Sequence, residues 1–432
     1  MSDEWSFSKY SITVESNKGD LLLCNSFNGA LTRIKSQDSP LVLNLIDRTV
    51  SVSDLNNPLF AKLVEQGFFV SKKLDECRFV ESSLQKEEFL KGVSLTVLVN
   101  QICNFRCLYC YEKLSGKELS ARLVNSIIEY IQSVSKALDW LNISWYGGEP
   151  LLSKNLIIKL LCKINSITNL ADISFKSSIT TNGYLLDKRT AIKLITNNCR
   201  MFQVTLDGPP KIHNKNRLYI DGSRTYEVVA DNILQLLNIS KTFKIIIRVN
   251  FNIYSFPFIL DWVSQLKKKA NNDSRLEFSY HPIWNSNKTK YPKNSNDEII
   301  LTNQIVKLYS NSKEDAIRFI KRAHPNGDVC PAVKKNNFII MPDGKVLKCE
   351  AALNNPLNQV GKLHDGGKIL YDLKKLSLWE IPETTREDCL DCWYYPACRG
   401  ISCNLYNLNK NVQKKVCPTG KKAIPKIIEK CF

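Results

Sequence analysis

Residues 103–110 read CNFRCLYC, three cysteines (Cys103, Cys107 and Cys110) in the spacing CxxxCxxC, directly after the apolar run Ser94–Val99. Iron–sulfur motifs use short, nearly fixed cysteine spacings because their thiolates must converge on one small cube. Three thiolates hold three irons of a [4Fe-4S] cluster and leave the fourth iron open to an outside ligand. At this cysteine density such a triple arises by chance in roughly one chain in fifty, so context has to decide. The context is Tyr146-Gly147-Gly148-Glu149-Pro150, at the end of the next strand-like run. There two glycines let a ligand approach the backbone, and one carboxylate can bind an ammonium.

Working outward, the chain has 432 residues, 44% of them hydrophobic, enough for two or three domains with real cores. The N-terminal stretch is polar and no run of 18 apolar residues occurs, so a soluble, cytoplasmic protein without membrane contact is expected. Fifteen cysteines, an odd number and clustered, point to metal ligands rather than a disulfide framework. A net charge of +18 favours polyanionic partners, either nucleic acid or an acidic peptide.

From about residue 92 to 285 strand-like runs alternate with amphipathic helices. Strands are expected at Ser94–Val99, Ile143–Tyr146, Ser174–Thr180, Met201–Leu206, Phe243–Asn250 and Leu276–Tyr280, with helices such as Leu151–Leu170 and Tyr226–Leu237. The fold class is α/β, a partial (β/α)6 barrel of the TIM type, whose chemistry gathers at the carboxyl ends of its strands. Before it, residues 1–90 form a winged-helix-like α+β module. Tyr10–Val14 and Leu21–Leu23 flank the turn Asn17-Lys18-Gly19-Asp20 as a hairpin, a helix covers Pro58–Val64 up to Gly67, and Phe68–Val70 is a short strand. Residues 291–325 read as a linker. Residues 326–432 have little regular patterning and concentrate cysteines, as a segment organised by metal would. Cys24, Cys162 and Cys199 lie in apolar runs and read as ordinary buried thiols.

With those motifs in view, the sequence resembles the radical S-adenosylmethionine (SAM) superfamily. That resemblance implies that Cys103, Cys107 and Cys110 hold a [4Fe-4S] cluster whose open iron binds SAM. It places Gly147, Gly148 and Glu149 at the SAM amino group and Tyr109 against the adenine. Thr181-Asn182-Gly183 and Thr205-Leu206-Asp207-Gly208-Pro209 resemble the next strand-end motifs, so Asn182, Thr205 and Arg217 or Arg248 are expected at the ribose or methionine carboxylate. The C-terminal cysteines, with Gly344 five residues before Cys349, resemble the SPASM domain of two auxiliary [4Fe-4S] clusters, three clusters in all. One auxiliary cluster takes Cys330, Cys349 and Cys403; the other takes Cys389, Cys392, Cys398 and Cys417. The gap Arg399–Ser402 is one residue longer than usual, which loosens the Cys403 assignment. The first auxiliary cluster lacks an obvious fourth ligand, with His324, Cys77, Cys431 or an open iron as the alternatives. Zinc knuckles are the competing reading of the Cys-x2-Cys pair.

The resemblance extends to substrate. A small winged-helix module ahead of such a barrel resembles the leader-recognition element of enzymes that modify ribosomally made precursor peptides. A leader would add a strand at the Tyr10–Val14 edge, and a flavodoxin or ferredoxin would deliver electrons. The reaction expected is a crosslink (thioether, carbon–carbon or ether), with darobactin-type maturases as one match. In relatives that oxidise sulfatases an acidic residue beside the corresponding cysteine is the general base, which points to Glu350 as a catalytic residue. The alternatives are an anaerobic sulfatase-type maturase making formylglycine and a non-enzymatic iron–sulfur or zinc regulator binding DNA. Duplex binding ranks lower because residues 38–66 show no basic recognition helix.

Overall fold

The computed structural model describes residues 4–88, 91–239, 242–283, 295–380, 387–401, 403 and 417–432. The start of the expected linker (291–294) and Ser402 lie outside them. The chain forms two compact units, one of residues 91–298 and 334–380, the other of 1–90, 299–333 and 381–432.

The first unit is built on a parallel sheet. Gly92–Asn100, Trp140–Gly147, Ser174–Thr181, Cys199–Thr205, Lys244–Phe251 and Leu276–Pro282 pair in that order, each parallel to its neighbour. Parallel strands need a crossover between them. Helices Ala121–Ser135, Lys154–Leu170, Lys188–Thr196, Tyr226–Leu236 and Ile259–Lys269 supply it. Their apolar residues recur at helical spacing: Ile157, Leu160, Leu161 and Ile164 are the buried stripe of Lys154–Leu170. Caps set the starts, as where the Ser120 hydroxyl accepts from Leu123 N and the Asp187 carboxylate from Thr190 N. The six expected strands and both named helices match within a few residues.

Cys162 departs from expectation. It lies on the same helix but off its buried stripe, exposed, with its sulfur 3.0 Å from Asn197 Oδ1. An apolar run in a helix does not bury every position, because the face turns away each half turn.

The C-terminal segment is also more regular than its sequence suggests. Asn337–Ile340 adds to the free side of Gly92–Asn100 in parallel, and Lys345–Leu347, Gln359–Leu363 and Ile369–Tyr371 follow as antiparallel strands. These strands run only three to five residues, too short for periodicity to declare them. Residues 326–432 thus divide between the two units.

In the second unit, Ser11–Glu15, Leu21–Asn25 and Leu31–Ile34 form an antiparallel sheet. Glu4–Phe7 lies between Val50–Ser51 and Phe69–Ser71. Helices Ser39–Ile46 and Pro58–Glu65 close over a core that includes Leu21, Val42, Phe60, Leu63 and Phe69. The module shares a second core with the cysteine-rich segment, because Tyr10, Val80, Cys389 and Tyr395 pack together. The Tyr10 hydroxyl donates to Leu390 O at 3.0 Å, and Ser26 Oγ donates to Trp393 O. Among the described residues no helix is long and apolar enough to cross a membrane.

Candidate active site

The cysteine loop leaves the carboxyl end of Gly92–Asn100 and is gripped from both sides. Phe105–Cys107 pairs antiparallel with Arg217–Tyr219, with Cys107 opposite Arg217. Leu108 N donates to Asn216 O at 3.0 Å and Ile220 N to Asn104 O at 2.8 Å. Burial pushes all three thiols up, Cys103 to about 12, and Cys107 adds to the rise of both Cys103 and Cys110. Buried neutral thiols set against one another become good ligands once a cationic centre stabilises their thiolates.

Gly147 and Gly148 stand where the next strand ends, and their own chain fills the space beside them. A Cβ on Gly147, at φ +148°, would lie 2.4 Å from Asn100 O; one on Gly148 would lie 2.3 Å from Ile102 O. The expected approach to these glycines is therefore made, on the Cβ side, by the backbone that leads into Cys103. Glu149 N donates to Ile102 O at 2.7 Å and clips the two segments together.

The Glu149 side chain is fully buried and accepts three bonds: from Leu151 N at 2.9 Å, Thr181 Oγ1 at 2.6 Å and Asn182 N at 2.7 Å. Burial pushes its carboxyl up, and these donors pull it back. An ionised carboxylate has about four acceptor positions, so one is left for a ligand. Asn182 passes the constraint on, its Nδ2 donating to Asn104 Oδ1 at 2.7 Å inside the cysteine loop. Thr205 ends its strand, buried, opposite Arg248.

Tyr109 Oη donates to Asp207 Oδ2 at 2.5 Å and accepts from Arg217 Nη1 at 2.9 Å and Asn250 Nδ2 at 3.2 Å. Burial works against the Arg217 charge, and Tyr109, Cys107 and Asp207 around it hold it. Two buried donors at the loop have no partner among the described residues, Asn104 Nδ2 and Arg217 Nε. A buried donor without an acceptor is costly. An acceptor-rich ligand beside the cysteines, such as a cluster with bound SAM, would satisfy both, and the residues present fit that group.

Glu350 belongs to the same unit, at the start of a short turn after Cys349, and accepts from Thr96 Oγ1 at 3.3 Å. Nearby, Tyr111 and Tyr146 hydroxyls lie 2.7 Å apart, and Glu112 Oε2 is buried without a hydrogen-bond partner among the described residues. Burial first, then Glu350 and Glu149, push Glu112 up to about 7. Sequence reasoning missed Glu112; its adjacency to the Cys110-Tyr111 pair was the signal.

Of the seven cysteines expected at the auxiliary clusters, Cys389, Cys392, Cys398 and Cys417 line one small cavity with Tyr395, Ile401 and Lys421. The turn after Cys398 is left-handed at Arg399 (φ +53°) and Gly400 (φ +66°), which folds the chain back around the cavity. Burial, then the other three thiols, push Cys398 up to about 12. Among the described residues no three His, Cys, Asp or Glu side chains converge tightly enough for one metal ion. Cys330 and Cys403 lie in the second unit, with Cys349 in the first. Cys77 packs at the Tyr10 hydroxyl, Cys431 Sγ is 3.7 Å from Ser310 O, and His324 is exposed.

Residues 97–256 match the family model of the radical SAM superfamily. Three cysteines just past the end of a strand in a parallel α/β sheet agree with a radical SAM region over those residues. Among characterised proteins the chain is similar to the cysteine-type anaerobic sulfatase-maturating enzyme of Clostridium perfringens, 24% identical over 69% of this chain and 85% of that one. It is also similar to the radical SAM cyclopropyl synthase TigE of Paramaledivibacter caminithermalis, 24% identical over 54% of this chain and 56% of that one. In fold it resembles anSMEcpe with bound AdoMet (TM-score 0.60, 18% identity, 78% of this chain and 96% of that one). Streptococcus suis SuiB bound to precursor peptide SuiA gives a TM-score of 0.50 at 16% identity, over 94% of this chain and 97% of that one.

Proposed function

We propose that the chain is a radical SAM enzyme and a maturase of a ribosomally made precursor peptide, forming an intramolecular crosslink through a side-chain radical. The observation that carries the reading is the Cys103–Cys110 loop and the Glu149 carboxylate at one set of strand ends, with Glu350 bonded to Thr96 in the strand that leads into the loop. Cys103, Cys107 and Cys110 hold the SAM-binding cluster. Cys389, Cys392, Cys398 and Cys417 hold an auxiliary cluster. When bound, these groups supply one-electron cleavage of the sulfonium, hydrogen abstraction by the released carbon radical, and a sink for the electron left after bond formation.

This chain's residues do the rest. Glu149 takes the SAM ammonium on its remaining acceptor position. Tyr109, pinned by its hydroxyl, presents its ring to the adenine, and Asn104 and Arg217 supply donors beside the loop. Crosslinking removes two hydrogens: one leaves as an atom, the other as a proton and an electron. Glu350, bonded to Thr96 and near Glu112, accepts that proton.

Peptide as substrate is supported by the small module of antiparallel strands, whose Ser11–Glu15 edge offers backbone hydrogen bonds to an added strand, and by the fold shared with a peptide-bound relative. The basic charge of the chain suits an acidic leader. A flavodoxin or ferredoxin is the electron donor. Whether the bond is thioether, ether or of the darobactin type follows from the peptide. Formylglycine formation on a sulfatase is the second reading, favoured by the similarity to the Clostridium enzyme. The test is anaerobic incubation of the reconstituted enzyme with SAM, reductant and a co-expressed candidate precursor peptide. A loss of two hydrogens with no hydrazide-reactive aldehyde supports crosslinking; an aldehyde supports the second reading; an unchanged peptide overturns both.

A further inference from the structure

Between the Asp207 strand end and Thr225 lies a buried set of residues, two of which, His213 and Thr225, belong to none of the motifs above. Asp207, His213 and Thr225 are fully buried, and Arg217 nearly so. Asp207 N donates to His213 Nδ1 at 3.3 Å, so Nδ1 carries no proton and the ring hydrogen sits on Nε2. Nε2 lies 3.1 Å from Thr225 Oγ1 and donates to it. The Thr225 hydroxyl spends its own hydrogen on Arg217 O, at 2.6 Å. Each donor in the series meets one acceptor.

The series closes on itself. Arg217 reaches Tyr109 through its guanidinium, and Tyr109 returns to Asp207 through its hydroxyl. Five residues thus form a ring of hydrogen bonds around the strand that pairs with Phe105–Cys107. Asn214 Oδ1 anchors the far corner, accepting from Thr225 N at 3.0 Å and Tyr226 N at 2.9 Å. Two cluster cysteines answer to this ring: Cys107 faces Arg217 across the ladder, and Cys110 follows Tyr109 in the chain.

We propose that His213 and Thr225 are positioning residues of the radical centre, fixing through Arg217 and Tyr109 the loop that holds the SAM-binding cluster. They touch neither thiol nor ligand. Their effect comes from denying the Arg217 strand and the Tyr109 ring any alternative placement, since buried polar groups already bonded to one another lose those bonds in every other arrangement. The proposal rests on the reading of Cys103, Cys107 and Cys110 as cluster ligands.

The test is a SAM titration of the anaerobically reconstituted, reduced full-length enzyme, followed by the change in its electron paramagnetic resonance spectrum. Thr225→Val keeps the shape and removes both hydroxyl bonds; Thr225→Ser restores them. The ring predicts that Thr225→Val shifts the titration midpoint about tenfold upward, the equivalent of one or two hydrogen bonds, while Thr225→Ser stays within about twofold of wild type. Asn214→Ala, partly exposed, shifts it the same way by a smaller factor and decides the matter should Thr225→Val not fold. A folded Thr225→Val or Asn214→Ala enzyme with the wild-type midpoint and spectrum overturns the proposal, as does a Thr225→Ser enzyme no better than Thr225→Val. A wild-type enzyme with no SAM-dependent spectral change sinks the functional reading itself, a distinct outcome.

Discussion

Replacing Gly148 with alanine adds one carbon at a place the structure does not leave open. That carbon would stand 2.3 Å from Ile102 O and 2.7 Å from Ile102 C, both backbone atoms. Ordinary contact begins near 3.4 Å, so the Ile102 carbonyl must retreat by about 1 Å, carrying with it the residue before Cys103. The retreat stretches the Glu149 N to Ile102 O bond as well. Overpacking of this kind costs about 1–3 kcal/mol. A shift of about 1 Å at a reacting centre costs on the order of a hundredfold in rate. Gly148→Ala should therefore melt several degrees lower and form 5′-deoxyadenosine about a hundredfold more slowly. Gly116→Ala separates the two effects: at φ +74° with nothing within 4 Å it carries backbone strain without a clash, so it should melt lower yet keep wild-type turnover. Melting is followed by circular dichroism and 5′-deoxyadenosine by chromatography after anaerobic reduction with SAM. Wild-type melting and turnover in Gly148→Ala would refute the close approach, and with it the account of why two glycines precede Glu149.

Glu149→Gln turns an amide nitrogen toward donors that now share a carboxylate, so about 1–3 kcal/mol of stability and most SAM affinity should go, measured by melting and by spectral titration. Removing Cys389, Cys392, Cys398 and Cys417 together should lower iron content by about four per chain yet leave cleavage of SAM without peptide intact, read by iron assay and 5′-deoxyadenosine yield. Burial holds His213 well below its ordinary pKa. Below pH about 6.5 the unfolded chain binds a proton the fold refuses, and stability should fall by about 1.4 kcal/mol per pH unit, a slope that urea unfolding should find missing in His213→Gln. Glu350→Gln should keep 5′-deoxyadenosine formation while crosslinked peptide falls about a hundredfold or more by mass spectrometry.

The parallel strands were legible because each is a β-rich apolar run bounded by a helix of clear period, and the cysteine loop because its spacing is chemical. The short strands from Asn337 to Tyr371 were not, since three to five residues carry no period. Tertiary pairing with Gly92–Asn100 makes them strands. Cys389, Cys392, Cys398 and Cys417 were grouped by family pattern, and the structure places them around one cavity. The sharing of a core between Tyr10 and Tyr395, almost the whole chain apart, left no local mark. It also alters a useful experiment. Deleting residues 1–90 would strip that core, so protection of amides 11–15 from hydrogen exchange by added leader is the cleaner probe of docking.

Anaerobic reconstitution, reduction and addition of SAM without peptide test the central claim most directly. The account predicts 5′-deoxyadenosine and methionine in equal amounts from wild type and none once Cys103, Cys107 and Cys110 are alanine. Bound zinc in place of iron, or no 5′-deoxyadenosine from a fully iron-loaded enzyme, would contradict it.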